Sequence, residues 1–558
     1  MDQARLVIAI VLSVLVFLAW QFFFVDKEAV QKSAPQTKQP PALEKPVKAA
    51  QPYPKETQSV QTDKPGVTDD TQVATRARLP QTITVDTPLY RVKLSENGAG
   101  ITSFVLKNYR ETVQEDSPLK ELLPQENTVE TVLIGFAGKS LPGLDNAVFS
   151  TNFNVETVNI KDSDQEITFS WKSDRGVLVE KTYKFSPDSY LIGLDIAIKN
   201  GSAQTIQDKL FVALTSTVPN DKRMYGFEGP STLVDKNLEE VAIEDIEDQN
   251  TYSGNVKWVA LQDRYFMMSV IPEQVGEASM RLFLKGNDLI EAQYALPDGA
   301  IGPGTQHTYQ YALFFGPKSM EILGQAGHSL SQALDFGFFD ILAKPCVWLM
   351  NKLYSVIPNY GIAIIILTIL IKIVLWPLGS KSYKSMSEMK KIQPLMKEIR
   401  EKHKHDKKKM NEEVMGLYRT YKINPLGGCL PMVVQLPVFF ALYRMLYQAI
   451  ELRHAPFFLW IDDLSAPDRL FRFNVSNIPF MEPPYGIPVL TIIMGATMLL
   501  QQKMSPPMGD PTQAKMMMFM PLIFTVIFIN FSAGLVLYWL VNNVLSISQQ
   551  YYIQKKYA

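Results

Sequence analysis

Hydrophobic positions along this chain keep three different periods, and each period implies a different kind of element. Residues 6–25 are apolar almost throughout, broken by Ser13 and Gln21. Twenty such residues match the length of a membrane-spanning helix. The run closes on Phe22, Phe23, Phe24 and Val25, without the small residues that precede a signal-peptidase cut, so an uncleaved signal anchor over residues 1–27 is expected. Residues 28–80 are rich in Pro, Gln, Lys and Thr. They hold too few large apolar side chains to offset the entropy of ordering and are read as a flexible tether.

From residue 81 the period shortens to two. Runs such as 101–106 (ITSFVL), 177–185 (VLVEKTYKF) and 190–198 (YLIGLDIAI) alternate apolar with polar positions and are punctuated by Ser186-Pro187-Asp188 and Asn200-Gly201. A large all-β antiparallel sandwich over residues 81–335 follows. The pattern then turns helical over 319–355, and its apolar positions include Phe338, Phe339, Ile341, Leu342, Val347, Leu349 and Met350, as in an amphipathic segment lying along a membrane surface.

Five more apolar spans appear at about 360–378, 426–450, 487–500, 516–531 and 535–553, which with the anchor makes six transmembrane helices. The span at 487–500 is short and needs flanking residues or local bilayer thinning. Residues 381–422 carry 13 Lys plus Arg against 6 acids, which makes that loop cytoplasmic, in agreement with Lys503, Lys515, Lys555 and Lys556. The sandwich and the loop over 451–484 then lie outside the cytoplasm, and both termini lie inside it. Within the basic loop, Met386, Met389, Ile392, Leu395, Met396 and Ile399 recur at helical spacing. Met410, Val414, Leu417, Tyr418 and Tyr421 do so after a polar turn at 403–406, so residues 380–423 read as a helical hairpin.

Charge and composition narrow the chemistry. Residues 81–340 hold 21 Lys plus Arg against 36 Asp plus Glu, an acidic excess hidden by a whole-chain net charge of −1. Cys346 and Cys429 fall at opposite membrane faces, so no disulfide framework is expected. His307, His328, His403, His405 and His454 all lie outside the spans, which leaves no intramembrane metal site or Ser/His dyad. No Walker motif is present and no cofactor is implied.

The residue that stands out is Lys372, the sole charge in 362–377 (IAIIILTILIKIVLWP). An ammonium at the centre of a membrane helix costs roughly 2.5 to 3.5 kcal/mol. Thr368 lies on the same helix face. Other spans supply Gln435, Tyr443, Thr491, Thr497, Thr525 and Asn530. The last span is richest, with Tyr538, Asn542 and Gln549 near one face and Asn543, Ser546 and Gln550 on the neighbouring stripe. Each polar residue also fits plain interhelical glue. Lys372 itself stands about 7 Å from a helix end placed at Pro377, within reach of snorkelling. On residues alone a functional groove and a snorkelled anchor weigh equally.

Four motifs in order, NPLGGCLPMVVQLPVFFALY at 424–443, APFFLWIDDLS at 455–465, QKMSP at 502–506 and SAGLVLYWLVNN at 532–543, give the chain from about residue 341 to 558 a specific resemblance to the YidC/Oxa/Alb insertase family, and residues 336–558 are read as its insertase core. The anchor, tether and large extra-cytoplasmic domain resemble its Gram-negative form. The resemblance implies a bacterial inner-membrane insertase and chaperone, not an enzyme, with a five-helix core whose hydrophilic groove opens to cytoplasm and lipid. It further implies a periplasmic β-supersandwich related in shape to sugar-binding folds. A basic residue of the second span, commonly Arg, sits in the groove of the family, and Lys372 takes the matching place without the guanidinium fork.

Lys372 is thus the expected recruiting charge, and Thr368, Gln435, Tyr538 and Asn542 the expected polar lining. Leu436, Phe439, Phe524 and Phe528 are expected to form an apolar slide on the third and fifth spans. Lys390, Lys391, Lys397 and Arg400 of the hairpin are expected to dock partners. The family implies nascent membrane proteins as clients and, as partners, the Sec translocon with SecDF, ribosome–nascent chain complexes and membrane lipid, with no direct nucleic-acid recognition. A small-solute transporter or a lipid scramblase remains the alternative, although no repeated half is visible in the spans.

Overall fold

The structure is a computed structural model. It describes residues 80–557 except 124–129, 152, 154, 219–226, 287, 422–429, 474–477 and 506–510, with backbone alone at 407, 430–434 and 511–516. The expected anchor, the tether up to residue 79 and Cys429 lie outside the described residues.

Period-two alternation builds the first part of the molecule. In strand Val177–Phe185 every second side chain is buried, and strand Leu191–Asn200 pairs with it antiparallel, Ile196 opposite Lys181. Leu191–Asn200 continues the ladder on its other side with Gln306–Pro317, Ile192 facing Leu313. These strands belong to a 13-stranded sheet. A five-stranded sheet, in the order Leu119–Glu121, Ile101–Arg110, Tyr90–Ser95, Thr82–Asp86, Thr157–Asn159, packs against it. Phe104 of the smaller sheet meets Phe315 of the larger at 5.0 Å between ring centres. The expected antiparallel sandwich is present with one departure, because Thr82–Asp86 pairs parallel with Thr157–Asn159. A parallel neighbour requires a long crossover, and the chain between the two strands supplies it by first visiting both sheets.

Alternation also forces one charge inward. Lys181 falls on the buried face of its strand and is fully inaccessible. Its ammonium donates to the carbonyls of Ala99 at 2.7 Å, Val132 at 2.8 Å and Gly98 at 3.1 Å, while the Tyr183 hydroxyl also donates to Ala99 O at 2.7 Å. Lys181 therefore staples the 98–100 turn to the strand below it. Burial pushes its pKa down to about 7, with the Glu130 carboxylate opposing the shift.

The second part is helical. Its described helices are α1 (Met320–Ala326), α2 (Asp340–Val356), α3 (Tyr360–Lys402), α4 (Lys407–Thr420), α5 (Leu430–Gln448), α6 (Val489–Met504), α7 (Pro511–Phe528) and α8 (Ala533–Tyr557). Asn359 caps α3, its side chain accepting from Ile362 N at 3.0 Å. The helix end expected at Pro377 is not there. α3 runs on for 43 residues, through Pro377 and Pro394, to Lys402. Proline at 377 leaves the Ile373 carbonyl without its helical amide donor, and beside it the Gln549 side chain of α8 donates to the Trp376 carbonyl at 3.0 Å, which ties α3 to α8 at this point. The first arm of the basic hairpin is thus the continuation of α3. Met389, Ile392 and Met396 pack it against Val414, Leu417 and Tyr418 of α4.

Among the described residues α3 is the one helix long and apolar enough to cross a bilayer by length and composition. α6 and residues Met517–Phe528 are shorter apolar helices. One apolar cluster joins Ala363, Ile364 and Leu367 of α3 to Leu442 and Met445 of α5, Leu490 and Met494 of α6, and Leu535 to Leu537 of α8. The sheet and helical parts meet through arginines. Arg264 donates to Tyr447 O at 2.6 Å and stacks over that ring, and Arg453 donates to Arg110 O at 2.6 Å. Ser319 and Asn351 both donate to Glu451, whose pKa burial raises.

The Lys181 site sets a pH dependence. The unfolded chain holds its proton up to about 10.5, whereas the folded chain releases it near 7, so stability of the β-domain rises with pH between those values. Thermal unfolding of the purified protein across that window is expected to show this slope, and Lys181→Met is expected to flatten it.

Candidate functional site

Lys372 lies a little over three turns into α3, half-buried against α8. Its ammonium donates to Ser546 Oγ at 2.7 Å and to Asn542 Oδ1 at 3.2 Å. Both acceptors come from successive turns of one face of α8. Ser546 spends its own proton on the Asn542 carbonyl, at 2.7 Å, which turns its lone pairs toward the ammonium. The Tyr383 hydroxyl also pairs with Ser546, and with Gln501 of α6. Lys372 is therefore oriented by a neutral amide and a neutral hydroxyl, which hold the cation in place and leave its charge intact.

The rest of α8 divides its polar residues between two neighbours. Asn542, Ser546 and Gln549 face α3, and Gln549 reaches both Trp376 O at 3.0 Å and Ser380 Oγ at 3.2 Å. Asn543 donates to Thr497 Oγ1 at 3.2 Å, Gln550 to Ser505 Oγ at 3.4 Å and Gln554 to Met504 O at 3.1 Å, all on α6 or just past its end. Ser546 thus joins the Asn542 stripe instead of the Asn543 stripe expected from the sequence. Four residues advance a helix by 400 degrees, so 546 sits only about 40 degrees from 542.

The other expected lining residues take different places. Thr368 is buried, and its hydroxyl donates to the Ile364 carbonyl of its own helix at 2.6 Å, one turn back. Gln435 is half-buried and pairs with the Tyr538 hydroxyl, one turn of α8 before Asn542. Of the expected slide, Leu436 is exposed, whereas Phe439, Phe524 and Phe528 converge on Trp539. Phe439 meets that indole edge-on at 4.6 Å, Phe528 at 4.9 Å and Phe524 stacks at 6.2 Å. Trp539 is the hub that joins α5, α7 and α8. Its place inside the 532–543 motif was the signal available for it.

In the hairpin, Lys390, Lys391 and Lys397 are exposed, while Arg400 is half-buried beside Tyr418. None of them contacts Lys372's partners.

At the opposite end of the bundle two residues with no signal in the sequence close the structure. Asp468 accepts from Leu490 N, the first turn of α6, and from the Trp460 indole, both at 2.5 Å. Arg469 donates to Ile529 O at 2.8 Å, Pro484 O at 2.8 Å and Asn530 Oδ1 at 3.2 Å. Asn530, read as part of a span, lies instead beyond α7 and ties this loop together.

Close approach of α6 to α7 rests on Gly495. A Cβ there would meet Thr525 Oγ1 at 2.2 Å. Thr525 in turn bonds its own helix at Pro521 O, 2.7 Å away, which holds its hydroxyl in that position.

A family model described as 60Kd inner membrane protein matches residues 352–558, and one described as YidC periplasmic domain matches residues 82–349. The chain is 40% identical to a membrane protein insertase YidC of Syntrophus aciditrophicus (strain SB), with 100% of both chains covered. It is 42% identical to one of Syntrophobacter fumaroxidans, over 85% of this chain and 86% of the relative. A crystal structure of an active YidC insertase with the first transmembrane domain resolved is 18% identical. It covers 85% of this chain and 93% of that chain, with a TM-score of 0.36.

Gly495→Ala is expected to destabilise the protein by roughly 1 to 3 kcal/mol through overpacking. Thr525→Ala, which removes the obstructing atoms, is expected to recover most of that loss in the double variant. A double-mutant cycle on thermal unfolding in detergent measures the coupling.

Proposed function

Since the chain belongs to the YidC family of membrane protein insertases, we propose that Lys372 is the recruiting charge of its insertion groove, acting on nascent membrane proteins from the cytoplasmic side. The protein is an inner-membrane insertase with a periplasmic domain and is not an enzyme. Family membership displaces the transporter and scramblase readings.

The observation that carries the groove reading is the pair of neutral partners of Lys372, Ser546 and Asn542. A carboxylate partner would cancel the charge, and none of the geometry around Ser546 would then be needed. A client with an acidic or polar flank meets an oriented point charge in a partly dehydrated site. At about 6 Å and an effective dielectric near 20, the attraction is roughly 3 kcal/mol, enough to recruit and weak enough to release. The apolar part of the client then leaves past Leu436 and the aromatic group around Trp539, driven by about 25 cal/mol per Å² of apolar surface removed from water.

The remaining parts of this reading follow the same topology. α3 and α5 to α8 form the five-helix core, the N-terminal segment adds a sixth span, and both termini face the cytoplasm. α2 lies along the periplasmic surface of the membrane. Its inner face, Ala343, Val347 and Met350, is buried, and Ile341 and Trp348 are exposed on the other, which supports an interfacial position. The β-domain forms a supersandwich in the periplasm. The exposed lysines 390, 391 and 397 of the hairpin dock ribosomes that present nascent chains, and the Sec translocon with SecDF shares clients with the core.

Two outcomes test these roles. In cells depleted of the native protein, Lys372→Arg is expected to restore insertion of small membrane proteins with acidic translocated ends. Lys372→Ala is expected to reduce recruitment by about 100-fold, the equivalent of losing roughly 3 kcal/mol, and Lys372→Glu, which turns the attraction into repulsion, to reduce it further. Full insertion by the Glu form would sink the electrostatic role. Joint reversal of Lys390, Lys391 and Lys397 to Glu is expected to weaken co-sedimentation with translating ribosomes while leaving the thermal stability of the protein unchanged.

A further inference from the structure

The loop that joins α5 to α6 carries a two-stranded hairpin, Leu470–Phe473 paired with Tyr485–Ile487. Three phenylalanines of the hairpin and its connecting loop are exposed, while Tyr485 on the second strand is half-buried. Phe471 is 69% exposed, Phe480 78% and Phe473 42%. Large apolar residues this exposed on a tightly held loop call for a partner.

The loop is held firmly. Phe471 and Phe480 adopt left-handed backbone, at φ 51 and 64, a region that bulky side chains avoid unless the surroundings impose it. For Phe480 the surroundings are visible. Asn530, just past the end of α7, donates to the Phe480 carbonyl at 3.2 Å and accepts from Glu482 N at 3.0 Å. The Arg469 guanidinium bonds the same Asn530 and the Pro484 carbonyl. These bonds clamp the loop to the end of the bundle and aim the Phe480 ring outward.

The position of the hairpin identifies what the rings meet. Its second strand leads directly into α6, and its exposed Ile487 is followed on the helix by exposed Ile492 and Ile493, so apolar exposure is found on both the hairpin and the start of the helix. α6 has 16 residues, about 24 Å of helix, against a hydrocarbon thickness of about 30 Å. Three strand residues add about 10 Å. The only charge on either described strand, Arg472, is paired with Asp462 at 3.2 Å.

Resting on the reading of α6 as a membrane span, we propose that this hairpin seats Phe471, Phe473 and Phe480 in the outer leaflet of the lipid bilayer, supplying the apolar height that α6 lacks. The rings then anchor the closed end of the bundle at the depth where α6 begins.

The test uses the full-length protein with Cys346→Ser and Cys429→Ser, carrying one environment-sensitive fluorophore on Phe480→Cys. It is reconstituted into phosphatidylethanolamine and phosphatidylglycerol vesicles doped with spin-labelled phosphatidylcholine. Quenching by the spin-labelled lipid comparable to that at Ile492→Cys, and several-fold above that at Asp188→Cys in the β-domain, is the expected result. The same label on Phe471→Cys repeats the measurement if one position disturbs the loop. Quenching at 480 by aqueous iodide as free as at 188, with lipid quenching retained at 492, overturns the proposal and leaves the span reading standing. A signal at 480 that follows protein density instead of spin-labelled lipid assigns the rings to a second copy and also overturns it. Loss of lipid quenching at 492 removes the span itself, and the proposal falls with it.

Discussion

An ammonium inside an apolar helix has to find acceptors, and much of the helical part of this protein is arranged around that requirement. Lys372 obtains them from α8, which offers Asn542 and Ser546 on one stripe. Providing that stripe places polar side chains along a helix read from its sequence as an apolar span. The same stripe continues to Gln549, which ties α8 to α3 beside Pro377, where α3 runs on into the hairpin. Lys372 and the first arm of the hairpin are consequently carried on one continuous helix.

Around this polar seam the packing is specific in a different way. Water-free helix surfaces gain little from apolar contact with one another, so close approach and hydrogen bonds decide the arrangement. Gly495 lets α6 reach Thr525 of α7, and Trp539 collects aromatic rings from α5 and α7. Asp468 and Arg469 tie the far end, joining the start of α6 to the end of α7. The bundle is thus fastened at the end that Asp468 and Arg469 tie and along α8. The β-domain is attached through Arg264 and Arg453, whose bonds go to backbone carbonyls on the opposite part and so depend on shape as much as on charge.

Much of this was legible beforehand. Strand Val177–Phe185 was read with its observed ends, because alternation is a local property, and Leu191–Asn200 within two residues of them. The same alternation buries Lys181, but nothing local announces that three carbonyls from two other segments will receive it. Pro377 marked a helix end that does not occur, and beside it α3 is tied to Gln549, some 170 residues away in sequence. The polar residues of α8 were recognised, yet assigning Ser546 to its stripe required seeing which neighbour each face meets.

The sequence by itself determined the elements whose cause is local: the strands by period two, the helices by apolar runs, the hairpin by its Met spacing, and Lys372 as the charge needing explanation. Its motifs also determined the family. Only the tertiary structure decided what that charge touches, that α3 runs on through its prolines, where Phe439, Phe524 and Phe528 meet, and how Asp468 and Arg469 tie the far end. The physical reason is the range of the interactions involved. Periodicity and propensity act within a few residues, whereas desolvation of a charge and close packing are settled by whichever side chains the fold brings within about 3 to 4 Å, wherever they stand in the chain.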